Sequence, residues 1–80
     1  MTPRSVGIEG DSIRLGQFLK LANMVDSGSD AKPVILAGEV TVNGEVEHRR
    51  GRQLRKGDVV GFAGDHAKVV DRGEFEDLPW

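Results

Sequence analysis

The sequence predicts an α+β fold, in which two helices pack on a small and mainly antiparallel sheet. Apolar residues recur at helical spacing in the first half of the chain, over residues 13–25 and 30–37. After Gly38 the pattern changes to alternation with a period of two residues, which is typical of strands. The dipeptide Asn43-Gly44 interrupts that alternation and favours a tight hairpin turn, because both residues tolerate a positive φ.

The first predicted helix, residues 13–25, has one apolar stripe with spacings of three and four residues. The stripe consists of Leu15, Phe18, Leu19 and Ala22. We expect Asp11 or Ser12 to cap the helix, because a side-chain oxygen there can accept a backbone N–H of the first turn. Gly16 weakens the helix by about 1 kcal/mol relative to alanine, so packing has to offset that loss.

The second predicted helix follows a turn at residues 26–30. Ser29 is the expected N-cap, with Asp30 favourable in the first turn. Pro33 restricts Lys32 away from α geometry, so the start of this helix is uncertain by several residues. Gly38 supplies the left-handed residue that ends the helix.

The remaining strands are short and separated by glycine turns. Residues 40–42 and 45–47 are expected to pair as a hairpin, and a turn at residues 56–58 leads into a strand that contains Val59, Val60 and Phe62. A turn at Gly64-Asp65 precedes a last strand, residues 67–70. We expect residues 1–10 to be a flexible lead, residues 11–71 to form the single domain, and residues 72–80 to be an acidic, disordered tail.

Charge is segregated along the chain, although the formal net charge is only −2. Residues 14–56 carry eight Lys or Arg against five Asp or Glu, whereas residues 57–80 carry two against six. The densest positive stretch, His48 to Lys56, contains Arg49, Arg50, Arg52, Arg55 and Lys56 with no acid among them. We call residues 48–56 the basic segment. Because predicted strands flank it on both sides, it forms a fixed cationic surface that suits a polyanion such as nucleic acid.

The sequence predicts no enzyme, no catalytic residue, no cofactor and no metal ion. It contains no cysteine, and its histidines, His48 and His66, lie 18 residues apart in or near predicted loops. The glycines form neither a P-loop nor a dinucleotide-binding helix entry. No apolar run approaches the roughly 20 residues that span a membrane, and the first residues do not resemble a signal peptide. We therefore expect a cytoplasmic protein with no membrane partner.

The order of these elements resembles the S4 RNA-binding domain. The resemblance runs from about Arg14 to Val60, and its landmarks occur in order with compatible spacing. They are Arg14-Leu15, Phe18-Leu19, Ser27 to Ala31, Gly38, Val40, Val42-Asn43-Gly44 and Gly57-Asp58-Val59-Val60. The chain is most similar to the small stand-alone bacterial S4-like proteins, the YbcJ-like group, in which LLKLxxxxxSGxxAK, VKVxGxVETR and FAG recur in similar form. The resemblance implies an S4-like fold with an αL motif.

The resemblance also implies one RNA-binding surface made of the two helices and the segment after the hairpin. The residues expected on it are Arg14, Lys20, Lys32, Asn43, Arg49, Arg50, Arg52, Arg55 and Lys56. The implied partner is structured RNA, rRNA or tRNA, with ribosome association, and the protein is expected to act as a monomer without catalysing a reaction. Many S4 domains carry Ser-Arg where this chain has Ser27-Gly28, so their choice of RNA is not carried over. Because the chain has three Phe, one Trp and no Tyr, we expect recognition of RNA shape and backbone more than base stacking.

An alternative belongs to another class of function. The arginine-rich segment would then dock an acidic protein, and the acidic tail would regulate that contact. The salt dependence of binding distinguishes the two hypotheses. Binding to phosphates releases counterions and weakens steeply with salt, whereas binding through a packed protein interface responds less.

Overall fold

The computed structural model describes residues 3–72. The elements, in chain order, are β1 (Arg4–Ile8), β2 (Ser12–Arg14), α1 (Leu15–Leu21), α2 (Gly28–Leu36), β3 (Val40–Val42), β4 (Glu45–Val46), β5 (Gln53–Arg55), β6 (Val59–Phe62) and β7 (Asp65–Asp71). Five strands form a sheet in the order β1-β7-β6-β3-β4, and β2 and β5 form a separate two-stranded ribbon. Of the pairings between these strands only β1 with β7 is parallel. The predicted fold of two helices on a mainly antiparallel sheet is confirmed.

Helix α1 buries the stripe that the sequence predicted, but it is shorter at both ends. Each residue of the stripe is at most 1% exposed. The predicted cap at Asp11 or Ser12 is wrong, because Ser12 lies in β2 and the helix begins at Leu15 without a side-chain cap. The helix ends at Leu21, since Asn23 adopts a φ of +62° that cannot continue it.

Helix α2 begins two residues earlier than predicted. The N-cap is Ser27, not Ser29, because its Oγ accepts a hydrogen bond from the Asp30 N–H at 3.3 Å. Pro33 lies inside the helix, where it removes one N–H donor, yet the helix continues to Leu36. Gly38 ends it as predicted, with a φ of +77°. The Gly38 N–H donates to the Ile35 carbonyl, and the N–H of the following residue, Glu39, donates to the Val34 carbonyl. These bonds satisfy two carbonyls at the end of the helix.

The predicted hairpin is confirmed. Strands β3 and β4 pair across Asn43 and Gly44, whose φ values are +53° and +86°. A second two-residue turn, Ala63-Gly64, joins β6 to β7 with both φ values positive. It therefore starts one residue before the predicted turn. Strand β7 extends beyond the predicted residues 67–70 at both ends.

The prediction of a flexible lead over residues 1–10 is wrong for β1. This strand pairs in parallel with β7, and its last residue, Ile8, is 1% exposed in the core. The Arg4 guanidinium donates to both carboxylate oxygens of Asp65 and to the carbonyl of Ala22. The packed domain therefore begins before residue 11, where the sequence placed its boundary. Of the predicted tail, residues 73–80 lie outside the described residues.

The core lies between the helices and the sheet, and both helices and strands of both sheets contribute residues to it. Its buried residues are Ile8, Leu15, Phe18, Leu19, Ala22, Ala31, Ile35, Val40, Val42, Leu54, Val60, Ala67 and Val69. Leu54 belongs to β5 and is the apolar residue by which the basic segment, residues 48–56, packs into the core. Among residues 3–72, neither helix has the length and apolar character needed to cross a membrane.

Candidate nucleic-acid interface

The basic segment is held against α1 by its backbone. Strand β5 pairs with β2, and the carbonyls of Arg52 and Arg50 accept the N–H groups of Leu15 and Gly16 at 2.8 and 3.1 Å. These are donors of the first helical turn, which have no partner within the helix. The segment thus caps α1 in place of the side chain that the sequence predicted.

Gly16 explains how the segment approaches the helix so closely. Gly16 is buried, and a Cβ atom placed on it would lie 2.8 Å from Cγ of Arg50 and 3.4 Å from its Cδ. Real Cβ atoms almost never make contacts below 3.0 Å. The helix therefore accepts the lower intrinsic propensity of glycine, and Arg50 packs directly against its backbone.

A buried carboxylate organises the arginines of the segment. Glu47 has a side chain only 10% exposed, and its oxygens accept from the guanidinium groups of Arg49 and Arg52. The N–H groups of His48 and Arg49 also donate to it, both at 3.1 Å. The hydrogen bonds from Arg49, followed by those from Arg52, lower the pKa of Glu47 from an ordinary 4.5 to about 2. Glu47 is therefore ionised at neutral pH, and its single negative charge compensates one of the two positive charges of these arginines.

Between these two arginines the chain makes a turn. The N–H of Arg52 donates to the carbonyl of Arg49 at 3.2 Å, so Arg50 and Gly51 are the central residues of the turn. Both end residues are bound to Glu47, whereas the central Arg50 forms no ion pair within residues 3–72. The four arginines of the segment are therefore not equivalent.

Arg50 and Gly51 border an open cleft of about 1020 Å³ between the basic segment, α1 and the start of α2. Its lining consists of Ile13, Arg14, Gly16, Gln17, Lys20, Leu21, Gly28, Ser29, Arg50 and Gly51. The lining contains three cationic side chains and no carboxylate. The first turn of α2 also borders it, and a helix N-terminus favours anions through its unpaired N–H groups. We call this the basic cleft.

Arg14 connects the basic cleft with the outer face of the β2–β5 ribbon. In the ribbon, Arg14 is opposite Gln53 and Ser12 is opposite Arg55, while Ile13 and Leu54 occupy the positions between them. Side chains alternate between the two faces of a ribbon, so Arg14 and Arg55 share the exposed face as diagonal neighbours. The structure thus brings Arg14, which is distant in sequence, beside the basic segment.

The other predicted site residues lie outside the basic cleft. Lys32 is exposed on α2, one turn beyond the residues that border the cleft. The Lys56 ammonium is 3.0 Å from Asp71 in an ion pair. Asn43 connects two turns, because its Nδ2 donates to Asp58 at 3.0 Å and its Oδ1 accepts the N–H of Val59 at 2.9 Å. This network gives Asn43 a structural role.

Sequence reasoning missed Glu47 and did not assign Gln17 and Ser29 to the site. Glu47 directly precedes the arginine run, and an acid placed two and five residues before arginines was the available signal. The spacing of three residues through Arg14, Gln17 and Lys20 placed Gln17 on the same helix face. No comparable signal marked Ser29.

The histidines lie apart from the basic cleft. His48 lies beside Gly38 in the segment between β4 and β5, and His66 lies beside Gly61 as the second residue of β7, directly after a turn. The expectation that both lie in or near loops is confirmed. Within the part of the chain that the structure describes, no three His, Cys, Asp or Glu side chains are grouped as metal ligands would be.

The fold is that of an S4 domain. A family model for the S4 domain matches residues 6–70, and the chain belongs to that family, as the sequence landmarks predicted. The chain is 49% identical over 59 residues to the probable ribosome maturation protein RlbA of Bacillus subtilis, covering 74% of this chain and 83% of that protein. It is 40% identical over 58 residues to the putative RNA-binding protein YbcJ of Escherichia coli, covering 72% and 83%.

A solved structure shares this fold. The solution structure of YbcJ from E. coli, in which an αL motif involved in RNA binding was described, has a TM-score of 0.60 and 37% sequence identity to this chain. The match covers 88% of this chain and 87% of that one. The predicted similarity to the small S4-like proteins with an αL motif is therefore confirmed.

Proposed function

We propose that this protein binds structured RNA through the basic cleft, without catalysing a reaction. The observation that carries the proposal is that three cations from three separate elements, Arg14, Lys20 and Arg50, border one cleft that has no carboxylate in its lining. Within residues 3–72 none of the three forms an ion pair, so each is available to a phosphate. Lys and Arg contacts to phosphate supply most of the affinity of proteins for nucleic acid. The name of one relative, a putative RNA-binding protein, also supports an RNA ligand, and the name of the other, a probable ribosome maturation protein, is compatible with it.

The proposed contacts are to the RNA backbone. The residues that border the cleft include no aromatic side chain, so the cleft offers no stacking platform for bases. Arg14 and Arg50 can each bind a phosphate with two N–H groups, and the first turn of α2 adds backbone donors. Arg55 on the ribbon and Lys32 on α2 extend the cationic surface on either side. We propose that the RNA is rRNA or tRNA, because both are folded and present the shape and backbone that such a cleft can recognise. We further propose that the protein binds as a monomer.

Salt-dependent binding tests the proposal. A labelled structured RNA is titrated with the protein at several KCl concentrations between about 50 and 300 mM, and anisotropy gives the affinity. Five cations near the cleft predict a slope of log K against log salt of about −3 to −5, at roughly 0.7–0.9 per phosphate. Poly-glutamate serves as the competitor that an acidic protein partner would resemble. A flat salt response, or displacement of the RNA by poly-glutamate at equal charge, would instead favour an interface for acidic proteins.

A further inference from the structure

Glu47 binds the two arginines of this turn that do not border the basic cleft. Its carboxylate holds the guanidinium groups of Arg49 and Arg52, which are the ends of the turn, while the central Arg50 faces the cleft. The same carboxylate accepts two backbone N–H groups that lead into the turn. One buried acid therefore contacts both ends of a four-residue turn whose two central residues border the cleft.

We propose that Glu47 is a positioning residue of the RNA interface, which clamps Arg49 and Arg52 as a framework and thereby directs Arg50 into the basic cleft. This inference rests on the proposed function and deepens it. It divides the three arginines of the turn into two that hold the turn, Arg49 and Arg52, and one, Arg50, that binds phosphate in the cleft.

The clamp acts on a turn that is already fixed on its other side. The carbonyls of Arg50 and Arg52 cap α1, and Cγ of Arg50 packs against Gly16. These contacts fix one side of the turn, and the bonds with Glu47 hold the side chains of its two end residues on the other. A turn without the clamp has to be ordered when RNA binds, and ordering one flexible side chain lowers affinity by about twofold to tenfold.

The alternative is that Glu47 competes with RNA for Arg49 and Arg52. The side chain of Arg49 is 74% exposed, so a phosphate can reach it. In that case Glu47 weakens binding, and its removal would release two more phosphate ligands. The two interpretations predict opposite signs for the same substitution, which makes them separable by one measurement.

The test compares Glu47→Gln with Glu45→Gln at equal change in net charge. Glu45 is an exposed acid of β4, two residues away, with no ion pair within residues 3–72. We expect Glu45→Gln to leave the affinity for structured RNA unchanged or to raise it up to about twofold, since a repulsive charge is lost. We expect Glu47→Gln to lower affinity about threefold to tenfold and to make the salt slope shallower by a fraction of a unit.

Tighter binding of Glu47→Gln, with a steeper salt slope, would overturn the proposal in favour of competition. Equal effects of the two substitutions would also overturn it, because charge alone would then account for both. Circular dichroism and the amide NMR spectrum establish that each variant is folded at the temperature of the titration.

A second measurement on the unmodified protein keeps the proposal testable if Glu47→Gln does not fold. The Nε–H of Arg49 donates to Glu47 at 3.1 Å, and its NMR signal reports whether that bond persists. On addition of RNA we expect the Arg50 Nε–H signal to shift while the Arg49 Nε–H signal keeps its position. A shift of the Arg49 signal as large as that of Arg50 would show that phosphate replaces Glu47, which contradicts the clamp. If the unmodified protein binds no RNA at low salt, the proposed function itself fails, and the clamp with it.

Discussion

Gly16→Ala is expected to separate RNA binding from folding. The new methyl group would lie 2.8 Å from Cγ of Arg50, and the Arg50 side chain has to move away from it. That side chain is exposed at the cleft and is not held by an ion pair within residues 3–72, so it can change rotamer. The movement displaces the guanidinium from its proposed phosphate-binding position in the basic cleft.

The two effects on stability oppose each other. Alanine improves helix propensity by about 1 kcal/mol relative to glycine. Displacing Arg50 from its preferred rotamer costs about 0.5–1.5 kcal/mol, because the backbone carbonyl of Arg50 is 3.7 Å from the new methyl group and need not move far. The free energy of unfolding should therefore change by less than about 1 kcal/mol, whereas affinity for structured RNA should fall about threefold to tenfold.

Urea unfolding and RNA titration of the same preparation measure the two effects. The control is Lys68→Ala, because Lys68 is exposed on β7 and lies outside the cleft. We expect the control to retain its affinity within about twofold. A folded Gly16→Ala protein that binds RNA as well as the control would refute the reasoning that contact with Gly16 places Arg50.

Three further predictions concern charge, pH and the turns. Arg14→Ala should weaken RNA binding about threefold to tenfold and make the salt slope shallower by up to about one, whereas Lys68→Ala on β7 should change neither; equal effects would indicate diffuse attraction alone. The pKa of Glu47 is lowered to about 2 on folding, so its stabilisation is complete above about pH 4.5 and is lost as the pH falls toward 2. Glu47→Gln should therefore make the free energy of unfolding, measured with urea, nearly independent of pH between those values. After allowance for solvent screening, the substitution should lower that free energy by about 1–2 kcal/mol at pH 7. A pH dependence like that of the unmodified protein would contradict this. Asn43→Ala should lower the free energy of unfolding by about 1–2 kcal/mol through loss of its hydrogen bonds to Asp58 and Val59, and should leave RNA affinity unchanged. A folded variant with weaker RNA binding would indicate that Asn43 contacts the RNA.

The parts of the fold that the sequence predicted are those with local causes. The hairpin at Asn43-Gly44 follows from two adjacent residues that accept positive φ, and the end of α2 follows from Gly38. The stripe of α1 is buried as predicted because its spacing is set within a single helix.

The parts that the sequence missed depend on distant partners. In β1, Arg4 pairs with Ala67, and in β2, Ile13 pairs with Leu54, so neither short strand has a periodic signal that identifies it without its partner. For the same reason the cap of α1 could not be found locally, since its hydrogen-bond acceptors are carbonyls of the basic segment.

The candidate site follows the same division. The residue types of the basic segment indicated a cationic surface, and the family resemblance placed Arg14 beside it. The ranking of the arginines required the structure, because it depends on the burial of Glu47 and on the close approach of Arg50 to Gly16. Sequence alone does not determine which of several neighbouring arginines pairs with a carboxylate, because that depends on the folded backbone.

Mapping the RNA-bound surface by NMR tests the central claim most directly. In an amide spectrum recorded during titration with a structured RNA, we expect the largest shifts at the cleft, in Arg14, Gly16, Lys20, Gly28, Ser29, Arg50 and Gly51. We expect small shifts in β7 around Lys68, which is exposed and positively charged but lies outside the cleft. Shifts centred on β7, or spread evenly over all exposed Lys and Arg residues, would contradict the claim that the basic cleft binds the RNA backbone.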